Sequence, residues 1–270
     1  MMDDQPAALP TLEEIEALQP RESVGLTQRL CRPVSKHLTR VLLRWGVPAV
    51  AVSAANIATG LSAAACLGCP ETGVALLFIP LMYLGEVLDC SDGEVARGRG
   101  TADITFFFAD VAAHYFVTPM VVLALGLRGA LQQHALAPLL FGAIGAIFCT
   151  PTITLYRVRA SMLLEELLAR ASSEPVTIHP LVTSRAGRLA GDFGFDRPTH
   201  RYRLPLGTGL SVLVGVALLA EAFTGWRVSR WLSLATAVAF PLGRLYDYAS
   251  TIRSARPAHE LRRILGVEEP

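Results

Sequence analysis

The stretch Leu88–Tyr115, LDCSDGEVARGRGTADITFFFADVAAHY, joins the end of one apolar run to the start of the next. Asp89 and Asp92 lie at the edge of the first run, and Asp110 and His114 lie inside the second. Ionisable side chains are costly inside long apolar segments and usually serve a function there. A solvated loop with ordinary charges is the alternative, but it does not account for Asp110 and His114. The stretch therefore predicts a functional site at the boundary of two apolar helices.

The spacing of these four side chains predicts a metal site. Asp89 and Asp92 lie three residues apart, so they share one face of a helix. Asp110 and His114 lie four apart, so they share a face as well. If two helices form a hairpin and the face with Asp89 and Asp92 meets the face with Asp110 and His114, three carboxylates and an imidazole come together. Such oxygen ligands favour Mg²⁺ or Mn²⁺, and Mg²⁺ commonly shares its coordination shell with substrate phosphates.

The residues between the two pairs suit a phosphate-bearing ligand. Gly93 lets the backbone approach a ligand closely, and the small side chain of Ala96 does not block that approach. Arg97 carries a guanidinium group, which pairs with phosphate through two parallel hydrogen bonds. The pattern therefore predicts a phosphorylated substrate held beside a divalent cation.

These residues resemble the signature of the CDP-alcohol phosphotransferase family, also called CDP-alcohol phosphatidyltransferases. That signature is D-x2-D-G-x2-A-R-x8-G-x3-D-x3-D. Its positions are matched here by Asp89, Asp92, Gly93, Ala96, Arg97 and Asp110. Phe106 stands where the family has its second glycine, and His114 stands where it has its last aspartate. The D-G-E-x-A-R variant is most similar to that of the inositol-phosphate-transferring and related prokaryotic branches.

The resemblance implies an enzyme in which an alcohol attacks the β-phosphorus of a CDP-activated alcohol, so that a phosphodiester forms and CMP leaves. It implies that Asp89, Asp92 and Asp110 ligate the metal. It also puts His114 at the position of the family's general base, and an imidazole can accept a proton near pH 7 or ligate a metal. His114 is therefore predicted to be the catalytic residue and a fourth ligand. The alternative is a packed histidine, bonded to a hydroxyl or carbonyl group in an inactive site.

The resemblance also implies a nucleotide site. Gly93, Ala96 and Arg97 are implied to meet the CMP leaving group. Asn56 and Thr59 resemble the family's P-N-x-x-T element, with alanine in place of the proline, and are implied to contribute. A hydrogen bond between helices, without a ligand, is the alternative for Asn56.

Composition indicates a membrane protein. The chain has 270 residues, of which 52% are hydrophobic and 17% charged, whereas soluble domains average about a quarter charged. The formal charge of +1 gives no sign of a nucleic-acid partner. Cys66 and Cys69 form a C-x2-C pair, but no second pair completes a zinc pattern. They are therefore interpreted as small residues of a membrane helix.

The apolar pattern predicts an all-α fold, an integral membrane bundle of six transmembrane helices, each near the roughly 20 residues that a bilayer requires. The predicted spans cover about 48–67, 73–88, 104–127, 136–155, 207–223 and 228–248. Residues 1–22 are expected to form a flexible N-terminal arm, followed by a membrane transferase domain over residues 23–270. Residues 23–45 interleave apolar and basic side chains at helical spacing, which predicts an amphipathic helix in the headgroup plane. An ordinary soluble helix is the alternative, and Pro33 is expected to kink or divide the helix.

The distribution of positive charge predicts the orientation. Of the 24 lysines and arginines, all but Arg128, Arg227 and Arg230 fall on one side of the predicted membrane. The positive-inside rule puts that side, with both termini and the predicted site, in the cytoplasm, where soluble cytidine nucleotides are found. The expected location is a prokaryotic inner or plasma membrane. Arg157 and Arg159 leave the fourth span on the same side, where they hold an anionic acceptor or simply obey the positive-inside rule.

Two hypotheses about function follow. The first is a membrane-embedded transferase of phospholipid or related phosphodiester biosynthesis, whose partners are a CDP-alcohol donor, an alcohol acceptor and membrane lipid, with a homodimer left open. The second is a degenerate member of the family that binds nucleotide, lipid or a partner without catalysis. A channel or transporter would spread ionisable groups along several spans, whereas here they cluster at one end.

Overall fold

The computed structural model describes residues 10–19, 26–102, 104–149 and 208–253 of the chain. The secondary structure in these residues is helical, which confirms the all-α class for this part of the chain. The helices are α1 Leu12–Ala17, α2 Leu26–Arg44, α3 Ala49–Gly68, α4 Thr72–Ala75, α5 Phe78–Gly98, α6 Ile104–Gln133, α7 Ala137–Phe148, α8 Thr208–Thr224 and α9 Val228–Arg253.

The chain divides into two compact units. The first comprises Met1–Cys149 with Pro205–Ala237, and the second comprises Thr150–Leu204 with Val238–Pro270. The described part of the second unit is the C-terminal half of α9, which contains Pro241 within an unbroken helix.

Helix α1 differs from the expected flexible arm over residues 1–22. The Thr11 hydroxyl accepts a hydrogen bond from the Glu14 N–H at 3.2 Å, and the Glu14 carboxylate accepts one from the Thr11 N–H at 2.7 Å. This reciprocal pair is a capping box, which starts a helix. Ile15 of α1 is fully buried, so α1 packs against the rest of the unit. The T-x-x-E pattern was thus a local helix signal within a generally polar, acidic segment.

Helix α2 turns its small polar side chains toward the protein. It is one continuous helix through Pro33, so the expected division at that residue does not occur. From Leu30 to its end, the side chains that it buries are Cys31, Ser35 and Thr39. Its exposed apolar side chains include Leu30, Val34 and Val41. The apolar side chains that repeat at helical spacing in the sequence therefore include several that point away from the rest of the unit.

Three helical segments are long and apolar enough to cross a membrane: Ala49–Gly68, Thr72–Gly98 and Ala112–Gln133. The first agrees with the predicted span near 48–67, whereas the third overlaps the predicted span near 104–127 but begins and ends later in the chain. The second is longer than the predicted span of 73–88, because α5 continues as a helix through the Asp89–Arg97 motif to Gly98. Ala137–Phe148 and Gly209–Thr224 are shorter apolar helices, at the predicted positions of the fourth and fifth spans.

Glycines allow the helices of the first unit to pack closely. A Cβ atom at Gly60 of α3 would lie 2.6 Å from the Val117 side chain of α6. A Cβ atom at Gly126 of α6 would lie 2.6 Å from the Pro138 carbonyl oxygen and 2.7 Å from the Gly142 Cα atom. Small residues at such crossings are typical of membrane helices, since packing replaces the hydrophobic effect there.

Gly126→Ala is expected to destabilise the protein by about 1–3 kcal/mol, because the clash falls on the backbone of α7, which cannot rotate away as a side chain can. Gly73→Ala is the matched control, since a Cβ atom there has no neighbouring atom within 4 Å in the described structure. The free energy of unfolding in detergent, measured for both variants, checks the α6–α7 crossing. Equal stability of the two variants would contradict it.

A buried ion pair ties several elements of the unit together. Arg128 of α6 has no exposed surface, and its Nη2 atom lies 3.4 Å from Oε1 of Glu221 in α8. Arg128 Nη2 also donates to the Thr72 hydroxyl at 3.0 Å. Glu221 accepts further hydrogen bonds from Gln132 Nε2 at 3.0 Å and from the Ser229 hydroxyl at 2.7 Å. Both charges are therefore compensated within the protein, as burial requires.

Candidate active site

Two hydrogen bonds between α3 and α5 hold the carboxylates of the motif. Asn56 Nδ2 donates to Asp89 Oδ1 at 3.2 Å, and the Ser53 hydroxyl donates to Asp92 Oδ2 at 2.6 Å. The two helices run antiparallel, so residues three apart on α3 meet residues three apart on α5. The bond from Asn56 to Asp89 matches the expected alternative, a hydrogen bond between helices, and it also puts Asn56 beside a predicted metal ligand.

Asp89, Asp110 and His114 come together in space. Each offers a ligand atom, and these three atoms lie within 4.8 Å of one another. All three residues are half-buried, and His114 Nε2 lies 3.5 Å from Asp89 Oδ1. Two ligands of one Mg²⁺ ion lie at most about 4.2 Å apart, twice the bond length of about 2.1 Å, so small side-chain rotations suffice to bind a cation.

Asp92 stands outside this set, although the sequence predicted it as a ligand. Its side chain is buried, with 1% of its surface exposed, and its carboxylate is bonded to Ser53. Ser53 is itself fully buried. The Asp92 carboxylate therefore forms part of the buried contact between α3 and α5. In this conformation, two carboxylates and one imidazole form the candidate metal site.

A cleft of about 250 Å³ opens beside this set, lined by helices α3, α5, α6 and α8. Asp89 and His114 line the cleft together with Glu86, and Val117 and Leu210 belong to its apolar lining. Sequence reasoning missed Glu86, although it lies three residues before Asp89 and therefore on the same face of α5. The cleft thus offers a carboxylate-rich region and an apolar region to one ligand.

Gly93 and Arg97 lie against each other in the predicted phosphate-binding segment. A Cβ atom at Gly93 would lie 3.1 Å from Arg97 Nη1 and 3.3 Å from Nη2, so the absence of a side chain gives the guanidinium room. Arg97 Nε donates to the Leu18 carbonyl oxygen at 2.6 Å. The guanidinium therefore lies beside the motif backbone while its Nε atom binds the N-terminal segment.

Ala96 and Phe106, the residue aligned with a glycine of the signature, belong to one buried apolar cluster. Ala96 is fully buried, and Phe106 retains 5% of its surface exposed within the same apolar cluster. Leu42 and Leu43 of α2 pack against that cluster. The phenyl ring is thus buried in the cluster that contains Ala96.

Glu94 is a buried carboxylate that sequence reasoning did not select. Its side chain is 1% exposed and accepts three hydrogen bonds. The donors are Gln19 Nε2 at 2.7 Å, the Ser35 hydroxyl at 2.8 Å and the Thr39 hydroxyl at 2.6 Å. Ser35 and Thr39 lie four residues apart on α2, so the sequence alone places both hydroxyl groups on one face of a helix. Their common acceptor, Glu94, could be identified only from the fold.

The remaining predicted site residues do not join the site in the described structure. The Thr59 hydroxyl donates to the Ala55 carbonyl oxygen of its own helix at 2.7 Å, and Thr59 does not line the cleft. Arg157 and Arg159, predicted to bind the acceptor, lie outside the described residues. Their assignment therefore stays a prediction.

Cys31 on α2 provides a chemical test of the contact between α2 and α5. Burial, and then the carboxylates of Glu86 and Asp89, raise the pKa of the Cys31 thiol to about 11. The thiolate is the reactive form, so roughly one thiol in a thousand is reactive at pH 8. A variant with Cys31 as its sole cysteine is expected to react with maleimide far more slowly than a Cys31→Ala variant carrying Leu30→Cys as its sole cysteine, because Leu30 is 56% exposed. Equal labelling rates would contradict the burial of this face.

Comparison of the chain with models of known protein families, and with curated proteins, found no match, so the site is interpreted from its own residues.

Proposed function

We propose that this protein catalyses a divalent-metal-dependent transfer, in which a phosphoryl-alcohol group passes from a CDP-alcohol to an acceptor alcohol and CMP is released. The observation that carries the proposal is the approach of Asp89, Asp110 and His114 to within 4.8 Å beside a cleft. The residues come from two helices and were selected from the sequence by spacing and by resemblance to one signature. The reaction belongs to phospholipid or related phosphodiester biosynthesis.

Two carboxylates and an imidazole suit Mg²⁺ or Mn²⁺, which would be held by Asp89, Asp110 and His114. A cation held by these residues would neutralise charge on the diphosphate. In the transfer, the acceptor oxygen forms a bond to the β-phosphorus, and the bond from that phosphorus to the oxygen shared with the α-phosphate breaks. CMP leaves with the electron pair of that bond. The acceptor's proton passes to His114 in the form of the site in which Asp89 and Asp110 alone would hold the cation, because a metal-bound neutral imidazole has no lone pair left to accept a proton.

The proposal assigns the nucleotide to the motif segment of α5. Arg97 binds phosphate oxygens through its guanidinium, and Gly93 lets the backbone approach the ligand. Asn56 orients Asp89 through the hydrogen bond at 3.2 Å. Ala96 is fully buried in an apolar cluster with Phe106, so a ligand would reach it only through a rearrangement of that cluster. Arg157 and Arg159 remain the proposed acceptor-binding residues.

The proposed setting is a six-span bundle in a prokaryotic inner or plasma membrane, with the site and both termini in the cytoplasm. The charge bias supports this orientation. Trp45 is 74% exposed near the end of α2, while Trp226 and Trp231 are 78% and 63% exposed at the opposite predicted border, as interfacial tryptophans would be. The outward Leu30 and Val34 of α2 support an amphipathic helix lying in the headgroup plane.

The proposal is tested by measuring CMP release from purified protein in lipid nanodiscs, with a panel of CDP-alcohols and acceptor alcohols. Release is expected with Mg²⁺ or Mn²⁺, and it should cease after chelation and in Asp110→Asn. Absence of release with every donor and both metals would refute the transferase activity of the native chain.

A second candidate is a degenerate member of the family that binds nucleotide, lipid or a partner without turnover. The burial of Phe106 in the cluster that contains Ala96 favours it, because a phenyl group stands there in place of the glycine of the signature. The combined variant His114→Asp with Phe106→Gly restores the family signature. If only that variant releases CMP, the native chain is the binding protein and the transferase proposal fails.

A further inference from the structure

The N-terminal segment, defined as residues 10–19, is fastened directly to the phosphate-binding motif. Gln19 Nε2 donates to the buried Glu94 carboxylate at 2.7 Å. The Leu18 carbonyl oxygen accepts from Arg97 Nε at 2.6 Å. Ile15 is fully buried, and Glu16 pairs with Lys36 of α2 at 3.0 Å. Two residues inside the D-G-E-x-A-R motif thus bind consecutive residues of this segment.

The two contacts have different consequences for the motif. Glu94 also accepts from Ser35 and Thr39, so its orientation is maintained by α2 when Gln19 leaves. Arg97 has one hydrogen bond to the N-terminal segment, through Nε, and its Nη atoms lie 3.1 and 3.3 Å from the Cβ position of Gly93. The Leu18 carbonyl therefore orients the guanidinium so that its two Nη atoms face the motif backbone.

We propose that the N-terminal segment is a positioning element of the nucleotide site, which holds Arg97 in the orientation that binds phosphate and stays docked on the motif when a cytidine nucleotide is bound. This inference rests on the proposed function. Coupling between two binding events is reciprocal. Bound nucleotide must therefore favour docking of the segment by the same free energy by which the docked segment favours nucleotide binding. The segment is thus a functional element rather than a disposable arm.

Docking of the segment is measured without any substrate by cleavage with a glutamate-specific protease. Glu13, Glu14 and Glu16 are exposed targets in α1. Gln19→Ala removes one hydrogen bond to a charged group and is expected to accelerate cleavage about tenfold. Gln133→Ala is the matched control, distant in sequence and outside these contacts, and should leave cleavage unchanged. Equal cleavage of Gln19→Ala and native protein would refute the docking.

A charge variant gives a stronger test and a rescue. Gln19→Glu places a second carboxylate against Glu94, so the segment should undock and be cleaved faster than in Gln19→Ala. Adding Glu94→Gln to that variant restores a donor and an acceptor to the pair: Thr39 can still donate to the new amide oxygen, and the amide nitrogen can donate to the carboxylate introduced at position 19 and to the Ser35 hydroxyl oxygen. Cleavage of the double variant should return toward the native rate. A double variant that is cleaved as fast as Gln19→Glu would contradict the pairing.

The functional coupling is measured with CDP and Mg²⁺ as the probe. CDP is expected to protect the segment of the native protein from cleavage. The dissociation constant of CDP should rise about tenfold in Gln19→Glu and return toward the native value in the double variant. In turnover, Gln19→Glu should raise KM more than it lowers kcat. If native protein binds no CDP, the proposed function fails and the inference with it. If native protein and Gln19→Glu bind CDP equally, or the variant binds it more tightly, the inference alone fails.

Discussion

Replacing His114 with alanine is expected to lower the rate of CMP release at least about 10²-fold, the scale of lost general-base catalysis. His114 lies on the same face of α6 as Asp110, and its Nε2 atom is 3.5 Å from Asp89 Oδ1. No other imidazole belongs to the ligand set found in the described residues. The measurement is the rate of CMP release at saturating CDP-alcohol and metal. His37→Ala is the matched control, because His37 is exposed on α2.

The aspartate variant separates a role in chemistry from a role in packing. His114→Asp keeps a group that can accept a proton and bind a cation, and it restores the family's residue at this position. We therefore expect His114→Asp to retain far more activity than His114→Ala. If His114→Ala releases CMP at the native rate, the base is another residue and the assignment of His114 is wrong.

Replacing Arg128 with leucine is expected to cost about 3–5 kcal/mol in the free energy of unfolding, because it leaves the Glu221 carboxylate buried without its opposite charge. Arg128 is fully buried, and Glu221 is 5% exposed. Arg230→Leu is the matched control, since Arg230 is exposed over the Trp231 ring at 5.4 Å. Unfolding in mixed detergent micelles, followed by circular dichroism, measures both variants.

The double variant Arg128→Leu with Glu221→Leu removes both charges together. It should be markedly more stable than the sum of the two single effects predicts, since neither partner then remains unpaired. Additive effects would show that the two side chains do not interact. A cost in Arg128→Leu no larger than in Arg230→Leu would contradict the buried pair itself.

Local patterns in the sequence predicted several helices closely. The Ala-rich run that predicted a span over 48–67 forms α3, Ala49–Gly68. Helix α5 extends past residue 88, the predicted end of the second span. Residues 89–98 are polar only in part, since Val95 and Ala96 are fully buried against neighbouring residues. Length and hydropathy alone therefore underestimated α5, since helical continuity there depends on tertiary burial rather than on a bilayer.

The candidate site was predictable where its members lie on one helix face. The four-residue spacing of Asp110 and His114 placed both near Asp89, as the structure has them. The partners of the buried carboxylates were not predictable in the same way. Ser53 donates to Asp92 across 39 residues, and Gln19 donates to Glu94 across 75 residues. Such pairs depend on the register between helices, which spacing within one helix does not define.

The most direct test of the central claim is whether Asp89, Asp110 and His114 bind a single divalent cation. Mn²⁺ titrated into purified protein should bind with a defined stoichiometry, and its pulsed electron paramagnetic resonance spectrum should show coupling to an imidazole nitrogen. Asp89→Asn and Asp110→Asn should weaken binding, and His114→Asp should keep Mn²⁺ while losing the nitrogen coupling. Mn²⁺ binding that none of these variants alters, or no binding by the native protein, would contradict the account.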